Sequence, residues 1–133
     1  MANISWGVTV QVDGRVQMSA STAAHPAEAI ESLQVTIAPG DTDKVVDLMP
    51  GAGNSVHVLV IKSSFYGEQE ELKFKVSDGS TDSDPVTLSS PQAYTGGSVA
   101  LFGLDPNQLK FTNSSTTESA NVTIFVARDA TPE

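Results

Sequence analysis

The 133-residue chain contains no cysteine, which excludes disulfide staples and thiolate zinc sites and fits a reducing compartment. Basic residues are few: seven Lys and Arg stand against sixteen Asp and Glu, for a net charge of -9. Arg15, Lys44, Lys62, Lys73, Lys75, Lys110 and Arg128 are scattered along the sequence, whereas a surface that tracks phosphates needs clustered positive charge. Direct nucleic-acid binding is therefore not expected, and the acidic balance reads as a source of solubility. Long apolar runs are also missing. The four residues Val58–Ile61 form as long a run as any, far short of the roughly 20 residues that span a bilayer as a helix. The opening MANISWGVTVQVDG has no basic stretch followed by an apolar one, so no secretory signal is visible and a cytoplasmic site of synthesis is the simplest expectation. Aromatic residues make up only 6%.

What is present is a period of two. In ISWGVTVQV, Ile4, Trp6, Val8, Val10 and Val12 alternate with Ser5, Gly7, Thr9 and Gln11, the pattern of a half-buried strand. Asp13-Gly14 follows, and Val16 and Met18 resume the pattern, which predicts a hairpin closed by an Asp-Gly turn. SLQVTI, KVVDL, SVHVLVIK, ELKFKV, PVTLSS, GSVALFG, QLKFTN and SANVTIFVA supply further strands, separated by Gly-, Pro- and Asp-rich breaks such as APGD and MPGAGN. Only AHPAEAIES has helical spacing, with Pro26 suited to a first turn and Ala27, Ile30 and Leu33 three apart. The expectation is an all-β protein. Residues 1–133 are expected to form a single-domain antiparallel β-sandwich, jelly-roll or Ig-like, of about nine or ten short strands around one core.

Chemical sites are hard to assemble from these residues. DGSTDSDP, Asp78–Pro85, places three aspartates in seven residues. Asp82 and Asp84 alternate as calcium ligands do, but Asp78 stands too far back and the glycine of an EF-hand loop is missing at its position. A turn between strands, built on local hydrogen bonds from Asp and Ser, is the expected reading. His25 and His57 are the two histidines, and neither joins a zinc or triad constellation. Ser55 in GNSVH and Ser98 in GGSVA do not complete G-x-S-x-G, and the Gly-rich segments lack the lysine of a phosphate loop. The sequons at Asn3, Asn113 and Asn121 matter only on a secretory route. No catalytic, cofactor or metal residues are expected. A carbohydrate-binding module is the main rival, but it requires exposed rings. Trp6, Phe74 and Phe111 are expected on apolar faces, leaving Tyr66 and Tyr94 in loops.

The order of short strands, the loop series APGDTDKVVDLMPG and the closing unit LKFTNSSTTESANVTIFVARD resemble the small β-sandwich proteins of tailed-phage virions, of the head decoration or cement type. The chain departs from the best-known of these in having no long disordered N-terminal arm. The resemblance implies a non-enzymatic subunit, made in a host cytoplasm and residing in the virion. It further implies a homo-oligomer, a trimer above all, that stabilises a head lattice through a major capsid protein. A tail, neck or fibre component, in contact with another virion protein, has the same sequence character. Independently of the resemblance, SVHVLVIK is apolar on both faces, Val56, Val58 and Val60 on one and His57, Leu59 and Ile61 on the other. In the last strand Phe125 stands opposite Ala120, Val122, Ile124 and Val126. His57, Leu59, Ile61 and Phe125 are accordingly expected to form an assembly contact, unless a loop or the AHPAEAIES segment covers them within the monomer.

Overall fold

The computed structural model describes residues 2–21, 25–27, 29–48, 56–66, 71–103 and 106–128. Twelve strands occur among them: β1 Ala2–Ile4, β2 Gly7–Val12, β3 Arg15–Ser21, β4 His25–Ala27, β5 Ala29–Ile37, β6 Lys44–Asp47, β7 Val56–Ser63, β8 Leu72–Ser77, β9 Val86–Thr87, β10 Gln92–Thr95, β11 Gln108–Asn113 and β12 Ala120–Arg128. A 3-10 segment, Gly96–Phe102, lies between β10 and β11.

The last eight strands form two four-stranded antiparallel sheets, ordered β10-β7-β12-β5 and β6-β11-β8-β9. A nested scheme generates this order. Strand β8 pairs with β9, β7 with β10, β6 with β11 and β5 with β12, so the chain doubles back on itself about the loop that follows β8. Rolling up this doubled ribbon adds the pairs β7·β12 and β8·β11. The result is the eight-stranded jelly roll rather than the Ig-like arrangement. The Asp78–Pro85 segment stands at the apex of the fold.

The core lies between the sheets because each strand alternates. Ile37, Leu59, Ile61, Val122, Ile124 and Val126 meet Leu72, Phe74, Val76, Leu109 and Phe111 there, all essentially without solvent exposure. Phe74 stacks tilted on Phe111 at 6.1 Å and edge-on to Phe102 at 6.5 Å, and Phe102 meets Tyr94 at 4.6 Å. This aromatic row links β8, β11, the 3-10 segment and β10, at separations where ring pairs add to simple burial. Ser77 and Asn113 are polar and equally buried. Asn113 donates its side-chain amide to the carbonyls of Ile37 (3.0 Å) and Glu118 (2.8 Å), and its Oδ1 accepts from the Ser115 amide at 3.0 Å. Its backbone clasps the APGD turn, accepting from Gly40 N and donating to Asp41 O, both at 2.8 Å.

Four expectations are corrected. AHPAEAIES is not a helix: of its described residues, His25–Ala27 pair with β1 and Ala29 onward with β12, so a full-length ladder overrides weak helical spacing. GSVALFG is the 3-10 segment rather than a strand, while QAYT, expected as loop, is strand β10 on the edge of its sheet. ISWGVTVQV is not one half-buried strand: β1 ends at Ile4, β2 starts at Gly7, and partial burial ends at Trp6. Ile4 and Trp6 are partly buried, but every residue from Gly7 to Ser21 is exposed.

Candidate assembly surface

Among residues 1–27, the described ones belong to neither sheet of the sandwich. Strand β1 pairs with β4, and between them β2 and β3 form a separate antiparallel pair. The turn joining β2 to β3 has Asp13 at φ 50° and Gly14 at φ 78°, the two left-handed residues of a type I′ turn, whose twist matches that of a hairpin. Val8 faces Ala20 and Val10 faces Met18 across the ladder, so Val8, Val10, Val12, Met18 and Ala20 share one side of the ribbon. A bulge between Val10 and Gln11 then sets Gln11 opposite Val16. Val10 is 45% exposed, Val8 54% and Met18 61%. This arm therefore carries an apolar face without a core beneath it. An isolated two-stranded hairpin is marginally stable in water, and contiguous exposed apolar faces mark interaction sites.

The root of the arm does pack. Ile4 and Trp6 lie against Val58, Val60, Phe125 and Ala127 on the outer face of β7 and β12. With Asn3 and Ser5 they border an open apolar groove of about 370 Å³. The outer apolar side of SVHVLVIK is thus partly covered from within the monomer, by Ile4 and Trp6.

The residues expected to form a contact are not brought together. Leu59 and Ile61 have no exposure and stand between the sheets, Leu59 opposite Val126 and Ile61 opposite Ile124. His57 is half-buried near the start of β7. Phe125 sits opposite Val60 on the other face of the sheet, half-buried in the groove. The interior and exterior of β7 are the reverse of the expected ones. A strand apolar on both sides carries no sequence signal of which side meets the second sheet.

Two regions hold charge. In the apex loop, Asp78 Oδ1 accepts from Ser80 N (2.9 Å), Ser80 Oγ (3.1 Å) and Thr81 N (2.7 Å), while Gly79 occupies φ 100°. These bonds, led by the Ser80 amide, hold the Asp78 carboxyl below the usual range. Asp82 is held low first by the Ser77 hydroxyl and then by Lys110, whose ammonium donates to it at 3.0 Å. The carboxylates of Asp78 and Asp82 thus serve the turn itself. The second region joins residues far apart in the sequence. The lysines scattered in sequence converge, since Lys73, Lys75 and Lys110 share the outer face of β8 and β11 around a recess of about 140 Å³. Lys75 and Lys110 are direct cross-strand neighbours, an arrangement that repels. Asp43, 3.5 Å from Lys75, and Asp82 offset it. The outward lysines of ELKFKV and QLKFTN were the available signal.

The rings considered for sugar binding are engaged. Tyr94 packs on Phe102 and donates its hydroxyl to Gln92 Oε1 at 2.6 Å, and burial raises its pKa. The Tyr66 hydroxyl accepts from Ser63 N at 3.3 Å, and its ring packs against the core. Asn113, one of the three sequon residues, is buried. No protein-family model, no curated protein and no solved structure matches the chain.

Proposed function

We propose that this protein is a non-enzymatic structural subunit of a virion, a decoration or cement protein that binds a phage head lattice and stabilises it. The observation that carries the reading is the β2–β3 arm, an apolar ribbon held out in solvent from a jelly roll. Viral shells and lectins both use this fold, so the fold alone does not choose between them. The arm favours assembly, because burying each of its valines against a partner contributes roughly 1.5 to 3 kcal/mol, and repetition over a lattice multiplies a weak contact. A tail, neck or fibre subunit would use the same surface.

One observation favours sugar binding as a second reading: the groove sets the ring of Trp6 beside the polar groups of Asn3 and Ser5. The test is co-sedimentation with tailed-phage capsids stripped of their decoration protein, alongside a glycan array. Wild-type protein is expected in the pellet, and the folded double variant Val10→Lys/Met18→Lys in the supernatant. Wild-type protein that stays monomeric and in the supernatant, while binding glycans in a Trp6-dependent manner, overturns the assembly reading.

A further inference from the structure

The arm and the groove are complementary surfaces on one chain. The first is a projecting ribbon with Val8, Val10, Val12, Met18 and Ala20 on one side. The second is a trough of about 370 Å³ bordered by Ile4, Trp6, Val58, Val60 and Phe125. They cannot satisfy one another within a single molecule, because Trp6 borders the groove and the arm begins at Gly7. The arm leaves from the groove's rim, and all of its residues are exposed. We infer that the apolar face of the arm of one copy seats in the groove of a second copy, so that every subunit both gives an arm and receives one. This rests on the reading of the chain as an assembling subunit and names its first partner.

Area supports a second copy over an unrelated protein that meets the arm alone. Strands of six and seven residues make a ribbon about 20 Å long and about 10 Å wide, so one face covers roughly 200 Å². Docking one such face buries about 400 Å² over both partners, roughly a quarter of a standard stable interface. An exchange in which each copy plays both roles doubles the burial per copy without any new surface. Such a contact closes into a dimer if it is reciprocal and into a ring if it passes from copy to copy. Its modest size makes assembly dependent on concentration.

Two properties of the sequence make the test direct. Trp6 is the sole tryptophan and the chain has no cysteine, so fluorescence reports on the groove and introduced thiols meet no others. On raising the protein concentration, Trp6 emission of the wild type should shift to the blue as light scattering reports oligomers. Val10→Lys, which touches no core, should remain folded by circular dichroism, monomeric and red-shifted throughout. Mixing a Met18→Cys chain with a Ser5→Cys chain under mild oxidation should yield a cross-linked heterodimer in large excess over either homodimer. Predominant cross-linking of one Met18→Cys chain to another would overturn the inference in favour of arm pairing with arm. An unchanged oligomer in Val10→Lys would overturn it as well, as would a blue shift in that variant on adding glycans. Wild type that is monomeric at every concentration yet binds capsids through its arm would end this inference while leaving the structural role standing.

Discussion

Asn113 shows how one side chain can fix the end of a sandwich. Its amide and carbonyl join the end of β5, the end of β11 and the segment preceding β12, and its main chain holds the Pro39-Gly40 turn, where Gly40 at φ 84° takes the position that requires glycine. In the sequence it is only the first residue of a sequon, because nothing local marks an asparagine whose partners lie up to 76 positions away. Asn113→Ala leaves buried carbonyls without donors, and a loss of about 2 to 3 kcal/mol is expected in urea unfolding. Asp78 and Asp82 act differently. Their pKa values are lowered in the folded state from an ordinary 3.8, so they contribute stability fully above that value, and the contribution disappears as pH falls through the lowered values. The melting temperature should decline below about pH 4, and Asp78→Asn/Asp82→Asn should flatten that acid limb. A limb of unchanged steepness would show that other carboxylates dominate it.

At the level of elements, legibility followed the contrast between the two faces of each strand. ELKFKV and QLKFTN alternate apolar with polar, and Leu72, Phe74, Val76, Leu109 and Phe111 are all buried as that pattern requires. The Asp13-Gly14 turn was equally plain, since few residue pairs accept two left-handed conformations. Where contrast fails, the sequence misleads. In β7 both faces are apolar, and the side reserved for contact proved to be the core. In β2 the alternation is clean yet every residue is exposed, because period two alone does not say whether a core lies beneath a strand. Val10 and Leu59 look alike in sequence, yet one is 45% exposed and the other wholly buried. Period two assigns a side chain to a face; only the pairing of distant strands decides what that face meets. The groove was illegible for the same reason, as its walls come from residues 3–6, from Val58 and Val60, and from Phe125.

For the whole molecule, the nested pairing sets an order in which contacts can form. Among the nested pairs of the sandwich, β8–β9 closes the shortest loop, with Phe74 against Val86, whereas β5 and β12 join Ala29 to Arg128 across almost the full sandwich. Closing a long loop costs more chain entropy than closing a short one, and topologies rich in distant pairs fold in milliseconds to seconds. Contacts near the apex should therefore form first and the outer pairs last. Leu88 and Ile37, both fully buried, sample the two ends of this series: the Leu88 amide bonds to Leu72 O at 2.9 Å beside the apex, and Ile37 faces Ala120 in the outermost pair. Leu88→Ala is expected to slow refolding, and Ile37→Val chiefly to speed unfolding, because a contact absent from the transition state affects only the unfolding barrier. Stopped-flow chevrons measure both limbs. If Ile37→Val slowed refolding while Leu88→Ala left it unchanged, the sandwich would close from its outer strands inward, and folding about the Asp78–Pro85 apex would be refuted.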